Sequence, residues 1–227
     1  MSGTHMEEHN MARSFAGGTD RLQWTVPTVP QNVDCIAFRM KTTQTTVNAA
    51  VLSYWGPSSR NGFGFVINNT ANKIFVQGWS SSTQRIFLTS TSDINDGNWR
   101  SVAFNYTRTS GGGNALFIDG TQEASGNSSG DWTTAATDFW IALGDNPDSF
   151  WPTYVGDNAE IGHWNTQLSA DEIAALAKGF SPRLIRPTSL IFHAPIVRDT
   201  RELRAGLAGN TTGGAVSDHP RVLGGIC

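Results

Sequence analysis

The stretch Trp99-Arg100-Ser101-Val102-Ala103-Phe104-Asn105-Tyr106-Thr107 decides the fold. Val102, Phe104 and Tyr106 fall at every second position, and side chains two apart on a strand share a face, so this is a strand with one covered face. The same period recurs outward along the chain. Ile36, Phe38 and Met40 share a face in VDCIAFRM, and Phe63, Phe65 and Ile67 share one in GFGFVIN. Asn61-Gly62, Asp96-Gly97 and Asp119-Gly120 punctuate these runs with residues that tolerate positive φ in tight reversals. Lys73–Trp79, Arg85–Thr89, Phe139–Leu143 and Glu160–Trp164 are further strand candidates. Roughly a dozen short strands between Phe15 and Asn165 predict two packed antiparallel sheets, an all-β sandwich.

One helix interrupts the pattern. Ser169-Ala170-Asp171-Glu172 has the form of a capping box, Leu168 and Ile173 stand at the staple positions, and Gly179 supplies the stop, so a helix is expected near residues 169–178. Pro182 and Pro187 exclude helix in the connector that follows. Ser189–Ile196 reads as one more strand, placed at an edge by Pro195.

The chain has 227 residues, 15% of them charged, with 16 Lys+Arg against 19 Asp+Glu. That length suits a single sandwich domain. A net charge of −3 gives no global attraction to nucleic acid or an anionic membrane. No apolar run reaches the roughly 18 residues needed to span a bilayer, and no signal-peptide pattern opens the chain. The charge is uneven: residues 180–227 hold 6 Arg and 3 acids, for +3, so residues 1–179 carry −6. Residues 1–10 read as a tag or disordered tail, residues 11–179 as the sandwich, and residues 180–227 as a basic extension. With too little apolar content to fold alone, that extension is expected to dock on the sandwich or on a neighbouring subunit, and to be removable without unfolding the rest. Arg183, Arg186, Arg198, Arg201 and Arg204 are its candidate contact residues. Cys35 reads as a small core residue. The four Asn-x-Ser/Thr sequons, at Asn68, Asn105, Asn127 and Asn210, read as by-products of polar loops.

Four segments together resemble the concanavalin-A-like jelly roll of the laminin-G-like and pentraxin-like families. Phe15-Ala16-Gly17-Gly18-Thr19-Asp20 resembles the opening motif. Asp96-Gly97-Asn98-Trp99-Arg100-Ser101-Val102 is similar to a strand motif in which Arg100 replaces the usual His. Asn114–Gly120 is similar to the hairpin, and Ile161–Ile173 to the last strand and its helix. The resemblance covers residues 13–179 and implies a jelly roll. Residues 180–227 resemble extensions on laminin-G-like proteins encoded among bacteriophage structural genes. It follows as an expectation that the chain is a non-enzymatic virion protein, a capsid decoration or appendage subunit. Such a protein is made in the bacterial cytoplasm without a signal peptide, sits at the virion surface, contacts other capsid subunits as a homo-oligomer and meets host surface glycans.

Two other functions compete with that one. A carbohydrate-binding module would use rim aromatics, and Trp151 and Tyr154 beside Asp148, with Trp55 in a second loop, are the candidates; a loop Trp serves equally as an interface anchor or a cap on the core. Trp99, Trp140 and Trp164 lie in strands and are assigned to the core. Many relatives of the resembled fold bind calcium at the sheet rim, which makes Asp20, Glu160 and Asp145 candidate ligands. A glycoside hydrolase needs two carboxylates facing one cleft. The retaining enzymes on this fold carry Glu-x-Asp-x-x-Glu, a pattern missing from this sequence, and Asp157 and Glu160, three apart, are expected on opposite faces. No catalytic residue is assigned. His163 and His193 read as packed or surface imidazoles.

Overall fold

A computed structural model describes residues 11–26, 33–46, 48–55, 62–68, 72–80, 82–131, 139–143, 153–196, 199–218 and 222–223. The strands are β1 (Met11–Ala16), β2 (Arg21–Val26), β3 (Val33–Lys41), β4 (Ala49–Trp55), β5 (Gly62–Asn68), β6 (Lys73–Ser80), β7 (Thr83–Thr89), β8 (Arg100–Thr107), β9 (Gly113–Ile118), β10 (Thr121–Asn127), β11 (Phe139–Leu143), β12 (Val155–Trp164), β13 (Leu190–Ala194), β14 (Asn210–Thr212) and β15 (Ala215–Asp218). One helix, α1 (Ala170–Ala177), follows β12. The strands form two antiparallel sheets. One has the order β10-β9-β8-β3-β12-β1-β15 with β13 also on β12, and the other β14-β2-β11-β4-β5-β6-β7.

Alternation places the core as the sequence predicts. Ile36, Phe38, Met40, Phe63, Phe65, Ile67, Val102, Phe104 and Tyr106 all enter one buried cluster between the sheets. The β9–β10 reversal is the two-residue turn expected at Asp119-Gly120, with φ of +49° and +84°. Arg100 joins the two Asp-Gly motifs, donating to Asp96 at 2.6 Å and Asp119 at 2.8 Å. The capping box forms: Ser169 N donates to Glu172 Oε2 at 2.7 Å, and Glu172 N donates to Ser169 Oγ at 3.3 Å.

A second cluster lies on the outer face of the larger sheet, where Ile173 and Leu176 of α1 cover Cys35, Ala37, Ala103 and Phe117. Burial pushes the Cys35 thiol far above its ordinary range, so it stays neutral and unreactive. Iodoacetamide should therefore leave Cys35 unmodified in native protein and alkylate it fully in denaturant, as peptide mass mapping would show. Trp164 belongs to this cluster, its indole N–H donating to Ile185 O at 2.7 Å. Trp99 does not join either cluster; it is half-exposed, with Lys41 Nζ 5.9 Å from its ring, which corrects its assignment to the core. Of Trp140 only the backbone register is described, opposite Trp55 and Thr25.

The C-terminal extension is built into both sheets. β13 pairs with β12, β14 pairs with β2, and β15 pairs with β1, so the segment crosses the open side of the sandwich and returns. Phe192, Ala194 and Ile196 enter the main core. The return is made at Gly213 and Gly214, with φ of +60° and +72°. A Cβ on Gly213 would lie 1.8 Å from Asp20 Oδ1, so only glycine fits there. A sandwich complete without residues 180–227 is therefore not what this chain forms.

Candidate functional site

On β7, Ile86, Phe87 and Leu88 are consecutive apolar residues, and a strand cannot turn all three inward. Ile86 and Leu88 enter the core, and Phe87 is left outward with 48% of its surface exposed. Register puts Phe87 opposite Gln77 and Trp79 opposite Gln84 on β6. The Phe75 and Phe87 rings lie 5.0 Å apart, and Ala50, Val66 and Phe75 form a small apolar cluster with half-buried Trp79. Gln84 Nε2 donates to Gln77 Oε1 at 3.0 Å. The outer face of the smaller sheet thus carries aromatic rings flanked by oriented amides. A ring face takes apolar C–H groups while amides both donate to and accept from hydroxyls.

The sequence-predicted aromatics divide differently. Tyr154 is fully buried, and its hydroxyl donates to the carbonyls of Lys41 at 3.1 Å and Asp157 at 3.2 Å. It is a core residue, which corrects its assignment to a sugar platform. Trp151, Asp148 and Asp145 lie outside the described residues, as does the side chain of Trp55. The backbone flanking them is informative. Leu143 pairs with Leu52, and Thr153 bridges Ala50 of the Ala50–Phe75 cluster. Trp55 stands at the other end of β4. The Thr153 end is held by Gly18 N, which donates to Thr153 Oγ1 at 3.0 Å, and by Gln44 Nε2, which donates to Thr153 O at 3.0 Å.

Of the proposed calcium ligands, Asp20 and Glu160 are too far apart to share one ion, and Asp145 lies outside the described residues. Asp20 Oδ2 accepts from Ala16 N at 2.9 Å, and Ala16 pairs with Val155. Glu160 stands five residues further along β12, roughly 16 Å at strand rise, whereas ligands of one calcium ion each lie about 2.3–2.6 Å from it. Glu160 is buried, 3.4 Å from His193 Nε2. Among the described residues no group of three or more His, Cys, Asp or Glu side chains is placed to hold a metal ion.

Glu160 also breaks the strand parity used above. It has φ +52°, and β12 carries an extra residue opposite β3 between Ala159 and Gly162. Ile161 then points into the core, while Glu160 lies with Arg39, Ser101 and Leu176 on the outer side, the side of the Asp157–Lys41 pair. Asp157 and Glu160 are therefore not on opposite faces. Each is already engaged, Asp157 by Lys41 at 3.3 Å and Glu160 by His193. Glu123 is four strands from Glu160, about 19 Å at strand spacing, beyond the roughly 6.5–9.5 Å of an inverting pair. Its carboxylate accepts from Thr91 N and Ser92 N at 2.8 and 2.9 Å. Burial opposes its ionisation, but the bonds from Ser92 and Thr91 outweigh that and hold its pKa below the ordinary range.

The extension's arginines are partly used within the chain. Arg186 Nε donates to Glu172 at 2.6 Å, and Arg204 Nε donates to Leu190 O at 2.9 Å. Arg183 and Arg201 are exposed, and Arg198 lies outside the described residues. Of the sequons, Asn105 is buried and clamps Leu168 from both sides, donating to its carbonyl at 2.7 Å and accepting from its N–H at 3.0 Å.

Two antiparallel sheets around one aromatic core, with a short helix on the larger sheet, define a jelly-roll sandwich of lectin type. The chain belongs to the concanavalin A-like lectin/glucanases superfamily, whose laminin G family model matches residues 16–174. No curated protein matches it significantly by sequence. Among solved structures it is similar to the native heptameric SAP-like pentraxin from Limulus polyphemus, with a TM-score of 0.67 at 13% identity, covering 93% of this chain and 96% of that one. That coverage reaches past residue 174 and takes in much of the C-terminal extension. A putative carbohydrate binding protein from Bacteroides ovatus is similar at TM-score 0.67 and 12% identity, over 93% of this chain and 60% of that one. The CBM40 of Ruminococcus gnavus IT-sialidase bound to α2,3-sialyllactose is similar at TM-score 0.56 and 16% identity, over 73% of this chain and 96% of that one. At these identities the likeness is one of fold.

Proposed function

We propose that the chain is a non-catalytic glycan-binding module. The carrying observation is the exposed Phe87 ring beside Phe75 and Trp79, with Gln77 and Gln84 at its flank, on the outer face of the smaller sheet. Neighbours of the same fold that are described as carbohydrate-binding support the reading. Trp151 and Asp148 are assigned as further contacts, because Thr153, which follows them in the chain, bridges Ala50 of the same cluster. The heptameric neighbour is consistent with oligomers that would multiply weak sites. A virion location is proposed only on the resemblance of residues 180–227, whose strands close this sandwich before they can serve a partner.

The test is a glycan array of neutral and sialylated oligosaccharides, followed by calorimetry on the hits. Phe87→Ala should weaken binding by about tenfold or more, equivalent to about 1.4 kcal/mol, with the thermal midpoint unchanged because the ring is half in solvent. Silence of the wild-type protein across the array would refute glycan binding; equal affinity of Phe87→Ala would move the site elsewhere.

A further inference from the structure

The opposite face of the molecule holds a groove of about 380 Å³, lined by Asn105, Asn114, Phe117, Gln122, Ser125, Asn127, Gln167 and small residues. It runs over β8, β9 and the edge strand β10, beside the residues that lead into α1. Its volume lies in the range of small-ligand sites.

Three properties of its lining specify a ligand. First, none of the described lining residues is charged, so none of them pairs with a phosphate, a carboxylate or an amine. Second, the walls are rigid without a ligand. Asn105 is locked to Leu168. Asn114 Oδ1 accepts from Thr107 N at 3.0 Å, and its Nδ2 donates to Gly112 O and Ser128 Oγ at 2.9 and 3.0 Å. Gln167 Nε2 donates to Thr107 Oγ1 and Gly113 O, both at 3.1 Å, which leaves its carbonyl oxygen as the group not held by those bonds. Third, Gln122, Ser125 and Asn127 are exposed, and while their backbones pair with β9, their side chains form no hydrogen bond with the described residues. They present two amides and a hydroxyl, each both donor and acceptor, beside Ala115 and the small part of Phe117 that α1 leaves uncovered. Paired donors and acceptors beside a small apolar surface match a ring that bears hydroxyls on its rim and C–H bonds on its face.

We infer that this groove is a second, separate binding site, for one to two residues of a neutral sugar chain, on the side of the sandwich opposite Phe87. The module is then bivalent as a monomer: its two sites face away from each other and join two glycans. This goes beyond the Phe87 site and does not depend on it.

The test uses the full-length protein, labelled with 15N, titrated with neutral trisaccharides (maltotriose, cellotriose, xylotriose and arabinotriose). Saturable shifts are expected in the side-chain amides of Gln122, Asn127 and Gln167, and they should persist in Phe87→Ala. The double variant Gln122→Ala/Asn127→Ala should weaken that binding by at least tenfold, and Ser125→Trp, which fills the groove, should abolish it. All three positions are exposed, so thermal midpoints should not move. No shift in these amides at millimolar concentrations of all four sugars would overturn the inference, whatever happens at Phe87. Shifts that Ser125→Trp leaves intact would overturn it as well. If the groove amides respond while Phe87→Ala binds normally, the groove stands and the Phe87 reading falls.

Discussion

A chain ended at Gly179 should not fold. It keeps every segment that the superfamily model covers, yet it loses β13 from the larger sheet together with β14 and β15. The side chains of Leu190, Phe192, Ile196 and Ile185, each 8% exposed or less, leave the two clusters. At about 1.5–3 kcal/mol for each large apolar side chain, their loss is on the order of 10 kcal/mol, comparable with a domain's whole stability of about 5–15 kcal/mol. Two buried indoles lose their acceptors as well: Trp164 Nε1 donates to Ile185 O, and Trp24 Nε1 donates to Thr200 O at 2.7 Å. The loop after β13 is organised by Glu202, fully buried, whose carboxylate accepts from the backbone N–H groups of His193, Arg204 and Ala205. A chain ended at Gly209 keeps all of this and removes only β14, β15 and the residues after them. Those strands are largely exposed, so it should fold with reduced stability. Near-UV circular dichroism and urea titration distinguish the two: the shorter chain should show no cooperative transition, the longer one a transition at lower urea. A cooperative transition for residues 1–179 would restore the view of the extension as a separable appendage.

From sequence the extension reads as separable because the information that ties it to the sheets is non-local. Leu190, Phe192 and Ala194 do alternate with Ile191 and His193, and a strand is legible there, but nothing in the segment names β12 as its partner. Elements whose determinants lie within a few residues were legible: the Ser169 capping box, the Asp119-Gly120 turn, and the alternation in β3, β5 and β8. The site was less so. Glu160 defeats a parity argument because one inserted residue reverses which face follows it. Tyr154 sits beside loop residues in the sequence, yet its hydroxyl is satisfied by two carbonyls within the fold, and that satisfaction is what permits its burial. Phe87 did leave a signal, three consecutive apolar residues in a strand of alternating pattern, which forces one of them toward solvent. The groove beside α1 left none, since its lining comes from three strands and the α1 approach, and only pairing brings Gln122 near Gln167.

Asp34→Ala should cost about 3 kcal/mol, the upper end for leaving buried hydrogen-bonding groups without their partner. Asp34 is fully buried at the start of β3. Its Oδ2 accepts the Tyr106 hydroxyl at 3.0 Å and lies 3.2 Å from His163 Nε2; the Tyr106 hydroxyl and His163 Nε2 are themselves 3.4 Å apart. Arg108, 5% exposed, has its pKa lowered by burial, against which Tyr106, Tyr54 and the negative charge of Asp34 all act. Burial, and next the charge of Asp34, push the Tyr106 hydroxyl well above its ordinary range, so it stays protonated and donates at every pH at which the fold persists. Removing the carboxylate leaves the Tyr106 hydroxyl and His163 Nε2 without the oxygen they share, and removes a negative charge that acts on Arg108. Asp34→Asn keeps an acceptor of the same shape and removes only the charge. It should recover part of the loss; the loss that remains in Asp34→Asn measures what the charge contributes, and the difference between the two variants what the acceptor and its shape contribute. At roughly 2–4 °C per kcal/mol for a domain of this size, Asp34→Ala should lower the thermal midpoint by on the order of 10 °C. The Phe87 face lies on the outer side of the other sheet, so titrations read at that face below the transition should be unchanged. A midpoint within 2 °C of wild type for Asp34→Ala would mean that the network does not hold this end of the sandwich together.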